Sequence, residues 1–229
     1  MRSRLPLSGR VFAAVSVPVF LAAPALAGPD WIEIGDAGSF LLSAQIPAPP
    51  PGVTQLSTIS GTLNALSGDL EDLYVIRIDA PLTFSITTGS ADFDSVLYLF
   101  NITINDEALG LLGNDDQATG NNLPRLVGAA TDGTGVVVSS PGDYLLAVTG
   151  RGRIPLSATG PIFNLASLTE ISGADGPGGL NALSGWTGEG DTGSYNIDLV
   201  DINFPRYPAP GTIAAPIMIA LAAGRRRRR

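Results

Sequence analysis

The sequence predicts an all-β protein built as an antiparallel β-sandwich. Short segments rich in Val, Ile, Thr, Tyr and Phe recur with an apolar period of about two, the period of a strand. Gly, Pro, Asn or Asp stands at almost every boundary between them, as turns require. No segment of the body carries a long, capped apolar stripe with a period of about 3.6, so we expect little helix.

Six strands are predicted, covering residues 73–78, 82–88, 95–104, 135–140, 143–150 and 193–204. The glycine-rich stretch 150–193 is much longer than a hairpin connection and is predicted as a loop insertion. Within it, residues 163–171 are compatible with one or two helical turns. The hexapeptide LNALSG occurs at 63–68 and at 180–185, and because its flanks differ we interpret it as similar turn chemistry rather than a duplication.

The first 27 residues are predicted to be a secretory signal peptide. Arg2, Arg4 and Arg10 precede an apolar stretch that ends in Ala-Leu-Ala, so we expect signal peptidase to cleave after Ala27. The alternative is a membrane anchor that is retained, for which the apolar run is short and interrupted by prolines. The rest divides into an N-terminal extension with a proline-rich loop, the predicted sandwich and a tail, at residues 28–60, 61–204 and 205–229.

The body of the chain is strongly acidic. Between Gly28 and Tyr207, five arginines face all 21 Asp and Glu residues, which gives a net charge of −16. The formal net charge of the whole chain is only −8, because the other eight arginines lie near its ends. An acidic surface repels nucleic acid and anionic lipid and attracts cations. We therefore expect no nucleic-acid binding.

Three residue types that carry much of enzyme chemistry are missing. The chain has no cysteine and no histidine, and its 13 basic residues are all arginines. Without Cys, His and Lys there is no Ser-His-Asp triad, Ser-Lys dyad, Schiff base or typical zinc site, and an exported fold must rest on core packing rather than disulfides. We expect a non-enzymatic protein, because neighbouring carboxylates such as Asp115 and Asp116 rarely face each other across a bond to be cleaved.

Three acidic clusters stand at the ends of predicted strands, where we expect several of them to meet at one pole of the sandwich. Calcium takes about six to eight oxygen ligands from carboxylates, amides and backbone, so it suits facing acidic loops better than other common metals. The alternative is that Asp and Asn serve here as turn residues that keep the surface soluble. The clusters are Asp69, Glu71 and Asp72; Asp92 and Asp94; and Asn114, Asp115 and Asp116.

Five short motifs resemble the bacterial pre-peptidase C-terminal domain. They are GDLEDLYVIRI, ADFDSVLYLFN, LLGNDD, PGDYLLAVTG and GSYNIDL, and they span residues 61–199. The resemblance implies a jelly-roll-like β-sandwich of the kind found on secreted proteases and surface proteins, some of which bind calcium. The family domain usually accompanies a catalytic domain, and this sequence contains none. The resemblance places the following residues at the family's acidic turns, as candidate calcium ligands: Asp69, Asp72, Asp94, Asn114, Asp115 and Asp116.

The two tryptophans, Trp31 and Trp186, admit two interpretations. As exposed rings they would offer a stacking surface to sugars. The alternative function is therefore a secreted carbohydrate-binding module, with Trp186 and the glycine-rich loop as its site. A lone tryptophan in a β-sandwich more often closes one end of the core, and we favour that interpretation.

The tail joins an apolar segment to a terminal block of arginines. Gly211 to Gly224 would extend roughly 21 Å as a short apolar helix, less than a hydrocarbon core of about 30 Å, so it is a marginal span. The arginines would stop translocation and hold this end in the cytoplasm, or alternatively form a basic end that touches anionic lipid. They are Arg225, Arg226, Arg227, Arg228 and Arg229.

The order of parts in the tail resembles the PEP-CTERM sorting signal. Pro208, Ala209 and Pro210 precede the apolar segment and the arginines, where that family usually shows Pro-Glu-Pro. The resemblance implies export, transient anchoring at the inner membrane and processing by an exosortase, often in bacteria that make exopolysaccharide. We therefore expect a structural or adhesive protein of the cell surface or extracellular matrix, with calcium stiffening its acidic loops.

Overall fold

The computed structural model describes residues 30–207, and within this range the chain is all-β. Fourteen strands form three sheets, and no residue from 30 to 207 is helical. The described part of the chain accordingly has no apolar helix of membrane-spanning length. The predicted signal peptide, up to Ala27, and the predicted sorting signal, from Pro208, lie outside the described residues.

Two sheets carry most of the strands. The five-stranded sheet consists, in spatial order, of β1 (Trp31–Ile32), β2 (Thr58–Thr62), β13 (Ser194–Val200), β4 (Ser85–Ala91) and β7 (Arg125–Val127). The six-stranded sheet consists of β11 (Ser172–Gly173), β6 (Ala108–Asn114), β5 (Ser95–Ile102), β8 (Gly142–Gly150), β3 (Glu71–Ile78) and β14 (Ile202–Asn203). A small sheet consists of β10 (Gly160–Pro161), β9 (Ile154–Ser157) and β12 (Gly185–Thr187). Neighbouring strands are antiparallel except β1 and β2, which are parallel.

The two larger sheets share one apolar core. Ile59, Ile86 and Ile197 of the five-stranded sheet are fully buried in it together with side chains of the six-stranded sheet. Burying one such aliphatic side chain contributes about 1.5–3 kcal/mol, so this core can hold together a chain that has no disulfides. The partners from the six-stranded sheet are Tyr74, Ile76, Ile78, Leu97, Leu99, Leu112, Leu146 and Val148.

The opposite face of the six-stranded sheet is also buried, beneath the glycine-rich stretch. Tyr98 packs there against Phe163, with ring centroids 5.2 Å apart, and Ile162, Leu165 and Trp186 join the same apolar cluster. Because both faces are covered, β3, β5 and β8 are almost continuously buried, whereas β13 alternates buried and exposed residues. This arrangement corrects the prediction of a loop at residues 150–193, which contain four short strands: β9, β10 and β12 form the small sheet, and β11 joins the six-stranded sheet.

Two predicted segments have less regular structure than expected. Residues 163–171 form bends and a turn rather than helical turns. The backbone N–H groups of Asn164 and Ser167 donate to the carboxylates of Asp175 and Glu170 and not to carbonyls one helical turn back. Residues 135–140 contain only an isolated bridge, between Val137 and Ala129, and a proline follows at position 141.

The C-terminal strand prediction, residues 193–204, covers two strands in different sheets. Asp201, with φ of 56°, separates β13 in the five-stranded sheet from β14 in the six-stranded sheet. The structure also adds β1 and β2, which lie in the predicted N-terminal extension, and β6, whose two glycines weaken its strand propensity. The LNALSG segments differ, since Leu63 is buried and Leu180 is exposed, as expected for shared turn chemistry without duplication.

Candidate metal centre

The acidic turns lie at one end of the six-stranded sheet. β3 begins at Glu71, which pairs with Thr149 near the end of β8. Ser95, the first residue of β5, pairs with Gly150, the last residue of β8. β6 ends at the same side of the sheet, since its last residue pairs with Leu97. The turns before β3, before β5 and after β6 are therefore neighbours.

Asp94, Asp115 and Asp116 form the first carboxylate group. One carboxylate oxygen of each lies within 4.8 Å of the others. Asp115 and Asp116 are only 4% and 8% exposed. Among the residues that the structure describes, the buried Oδ1 atoms of Asp94 and Asp115 have no hydrogen-bond partner. An unpaired buried polar atom costs about 1–3 kcal/mol, and a cation bound here would offset that cost.

Asn114, the neighbouring candidate ligand, fixes the turn that carries Asp115 and Asp116. Its Nδ2 donates to the backbone carbonyls of Asp116 and Glu170, at 2.9 and 2.7 Å. Its Oδ1 accepts from the backbone N–H of Arg125 at 2.7 Å. Because the amide is committed to the backbone on both sides, we assign Asn114 a positioning role and not that of a metal ligand.

Arg151 supplies the positive charge beside the first group. Its Nη1 lies 3.3 Å from Asp94 Oδ2 and its Nε 3.6 Å from Asp115 Oδ2. Burial and the charges of Asp94 and Asp116 raise the pKa of Asp115 to about 6, against the lowering effect of Arg151. Burial also raises the pKa of Asp116. The acidic side chains of Asp94, Asp115 and Asp116 thus lie beside a single guanidinium.

The first carboxylate group offers oxygen ligands of the kind that hard divalent cations take. Three carboxylates would supply about three to six of the six to eight oxygens that calcium takes, the rest falling to water and backbone carbonyls. The donor set contains oxygen alone, which favours calcium or magnesium over softer metals. The grouping of carboxylates from the turns before β5 and after β6 therefore gives a site at which a divalent cation can bind.

The second carboxylate group consists of Glu33, Asp69 and Asp72. Asp72 is fully buried, and its Oδ1 accepts from the backbone N–H of Ala37 at 3.1 Å. Its Oδ2 accepts from the hydroxyl of Tyr195 at 2.6 Å, and that hydroxyl lies 2.6 Å from the hydroxyl of Tyr74. The candidate ligands thus fall into two groups, and the second is built into a buried hydrogen-bond chain.

Protons reduce the charge of the second group. Burial raises the pKa of Asp72 to about 8, with the charges of Glu33 and Asp69 adding to the effect and the Tyr195 hydrogen bond opposing it. Burial raises the pKa of Asp69 to about 7, assisted by the charges of neighbouring carboxylates. Burial raises the pKa of Glu33 as well. Near neutral pH this group retains protons, which lowers its charge, and the buried Oε1 of Glu33 and Oδ1 of Asp69 have no hydrogen-bond partner among the described residues.

Replacing Gly61 by alanine is expected to disrupt the second group. A Cβ at Gly61 would overlap the Tyr195 hydroxyl and approach Glu33 Oε2 to 2.8 Å. Because Tyr195 is held by Asp72, relief requires a shift of the buried network, and we expect a loss of about 1–3 kcal/mol in urea unfolding. Gly185→Ala is the matched control, since a Cβ there meets nothing within 4 Å. If the two variants were equally stable, the close contact of Gly61 with Tyr195 and Glu33 would be contradicted.

Glu33 and Arg151 are the two site residues absent from the sequence-based candidates. The sequence contains a signal for Arg151, because pairing the start of β5 with the end of β8 places the residue after Gly150 beside Asp94. No comparable signal exists for Glu33. It reaches the second group through the parallel pairing of β1 with β2, whose partner residues lie 28 positions apart, as in Trp31 with Ile59.

Both tryptophans are partly buried against the two cores. Trp31 packs on the core between the larger sheets, and its Nε1 donates to Gln45 Oε1 at 2.9 Å. Trp186 packs on the outer cluster, with its ring 6.1 Å from that of Tyr98, and its Nε1 donates to the backbone carbonyl of Ser39 at 2.8 Å. These contacts give both rings a packing role.

Comparisons of the chain with protein-family models, with curated proteins and with solved structures each give no match. The function of the chain is therefore inferred from its own residues and their geometry.

Proposed function

We propose that this chain is an exported, non-enzymatic protein of the cell surface or extracellular matrix, folded as a jelly-roll-like β-sandwich and stabilised by calcium. Its role is structural or adhesive. The shared core of the two larger sheets supports the sandwich, since its members come from both. The calcium ion binds at Asp94, Asp115 and Asp116.

The observation that carries the calcium proposal is the unpaired Oδ1 of Asp115. This carboxylate is 4% exposed, yet it has no hydrogen-bond donor on Oδ1 within residues 30–207 and only a distant arginine beside Oδ2. Buried charges in proteins are normally paired or bound to metal. Since the pKa of Asp115 is raised only to about 6, a proton does not solve the problem at neutral pH.

Isothermal titration calorimetry of the full chain in detergent solution tests the proposed site. We expect one calcium ion to bind per chain at neutral pH, with affinity suited to the millimolar calcium found outside cells. The site would be refuted if calorimetry gave no binding heat and equilibrium dialysis against labelled calcium showed no calcium retained by the protein.

The export part of the proposal rests on the two ends of the chain. The N-terminal segment is basic, then apolar, and ends in Ala-Leu-Ala. This order supports cleavage of the segment by signal peptidase after Ala27. The order of Pro208, Ala209 and Pro210, an apolar segment and five arginines supports transient inner-membrane anchoring and processing by an exosortase-like enzyme. The finished protein would then meet exopolysaccharide outside the cell.

Replacing Arg225 to Arg229 by glutamine is expected to release the protein unprocessed. Without the positive block the marginal apolar segment loses its stop signal, so the chain should leave the membrane with its tail intact. Fractionation of an exosortase-containing bacterium, with mass spectrometry of the C-terminus, measures this outcome. Replacing the distant Arg206 by glutamine is the control. If the wild type and both variants had the same location and the same C-terminus, the sorting role of the arginine block would be contradicted.

A non-enzymatic role is supported by the chemistry available. The chain has no histidine, cysteine or lysine, so only carboxylates, hydroxyls, arginines and backbone groups could act. Among residues 30–207, we assign a cation to the first carboxylate group and shared protons to the second. Neither group contains an acid and a base held apart across a cleft, as glycoside hydrolysis requires.

A further inference from the structure

Arg151 contacts the first carboxylate group in a specific way. Its backbone N–H donates to the carbonyl of Asp94 at 2.8 Å, which fixes the main chain beside the group. Its guanidinium approaches the Oδ2 atoms of Asp94 and Asp115, at 3.3 and 3.6 Å. The Oδ1 atoms of the same carboxylates are the buried ones without hydrogen-bond partners among residues 30–207. The arginine therefore hydrogen-bonds one oxygen of Asp94 and forms only a longer ion pair with Asp115.

The guanidinium of Arg151 is loosely held. Its side chain is 50% exposed, and its approach to Asp115 is an ion pair beyond hydrogen-bonding distance. Ion pairs of exposed side chains contribute little to stability. Arg153, two residues later, differs, because it is 16% exposed, lies 2.7 Å from Glu71 Oε2 and donates to the carbonyl of Gly188 at 2.6 Å. Arg153 is structural, whereas the side chain of Arg151 is half exposed and makes one long hydrogen bond, to Asp94.

We propose that Arg151 is the intrinsic counter-ion of the first carboxylate group and that calcium binds by displacing its guanidinium. This inference rests on the calcium site proposed above. A calcium ion bound to these carboxylates would lie close to the Arg151 guanidinium, and the two positive charges would repel each other. Calcium and Arg151 therefore compete for Asp94 and Asp115, and the ion prevails only at concentrations high enough to overcome the arginine.

The competition gives Arg151 a regulatory role. At low calcium the guanidinium partly neutralises the carboxylates and keeps the turns before β5 and after β6 together. At high calcium the ion takes over that role, bonded to carboxylate oxygens of Asp94 and Asp115, and Arg151 turns outward. The affinity threshold of the site is thus set by one mobile side chain, which suits a protein that matures in a calcium-rich exterior.

Calcium titration of the Arg151→Gln variant tests this competition. Calorimetry of the full chain is expected to show calcium binding tighter by about fivefold or more than in the wild type, because one competing unit charge is gone. Arg151→Lys keeps the charge and is expected to bind within about twofold of the wild type. Arg153→Gln is the matched control, with reduced stability in chelator but unchanged calcium affinity. Melting curves in chelator confirm that each variant is folded.

The outcomes separate this inference from the proposed site. Wild-type binding combined with equal or weaker binding by Arg151→Gln would overturn the competition while leaving the calcium site in place. Equally tight binding by Arg151→Lys and Arg151→Gln would overturn the role of the charge. Binding by Arg151→Gln alone would support the competition and overturn the proposed calcium stabilisation of the wild-type protein. Binding by neither protein would overturn both the site and the competition.

Discussion

Removing calcium from the full chain at about pH 8 is expected to lower its Tm by about 5–10 °C. A ligand at about 100 times its Kd stabilises the folded state by about 2.7 kcal/mol. For a domain of this size, each kcal/mol shifts the Tm by about 2–4 °C. The effect is large because the ion would neutralise carboxylates whose buried Oδ1 atoms lack partners within the described range. Circular dichroism melting curves in calcium and in chelator measure it.

Two neighbouring aspartates provide a matched pair of variants for this prediction. Asp92 and Asp94 stand in the same turn before β5, but Asp92 is exposed and only Asp94 belongs to the first group. In the Asp94→Asn variant, calcium is expected to cause no increase in Tm. In the Asp92→Asn variant, calcium is expected to raise the Tm as it does in the wild type. The site is wrong if both variants respond to calcium as the wild type does.

Raising the pH in the absence of calcium is expected to destabilise the protein, largely through Asp72. The folded pKa of Asp72, about 8, lies above its ordinary value of 3.8, so the folded state holds this proton more tightly than the unfolded chain does. The resulting stability is fully present below about pH 4 and is lost as the pH rises through about 8. Asp69, with a pKa of about 7, acts in the same direction.

Asp72→Asn isolates this effect, because asparagine stays neutral and still hydrogen-bonds the Ala37 N–H and the Tyr195 hydroxyl. In chelator, the variant is expected to melt several degrees above the wild type at about pH 9 and close to it at about pH 3.5, below the ordinary pKa of an aspartate. Glu189→Gln, an exposed change outside both groups, is the control. A variant less stable than the wild type by the same amount at both pH values would show that the carboxylate itself is needed.

The all-β class could be predicted because it depends on local sequence features, namely strand propensity and turn residues. Strand propensity and turn residues predict β3, β5, β8 and most of β13, because these segments are apolar and bounded by strong turn formers. The glycine-rich layer is not predictable in this way. Its side chains acquire their role by packing on Tyr98 and Phe100, which lie far away in sequence.

The candidate site is partly predictable for the same reason. Asp94, Asp115 and Asp116 meet because antiparallel pairing of β5 with β6 joins the turns that carry them. The separate grouping of Asp69 and Asp72 with Glu33 depends on the placement of β1, a contact across sheets that no local pattern encodes. The structural role of Asn114 depends likewise on the carbonyl of Glu170, 56 residues away.

A crystal structure of the protein grown in calcium would test the calcium site most directly. The proposal predicts an ion bonded to oxygens of Asp94, Asp115 and Asp116 at about 2.3–2.6 Å, with the Arg151 guanidinium turned away from them. Carboxylates without an ion at saturating calcium, and with Arg151 still in contact with Asp94 and Asp115, would contradict it.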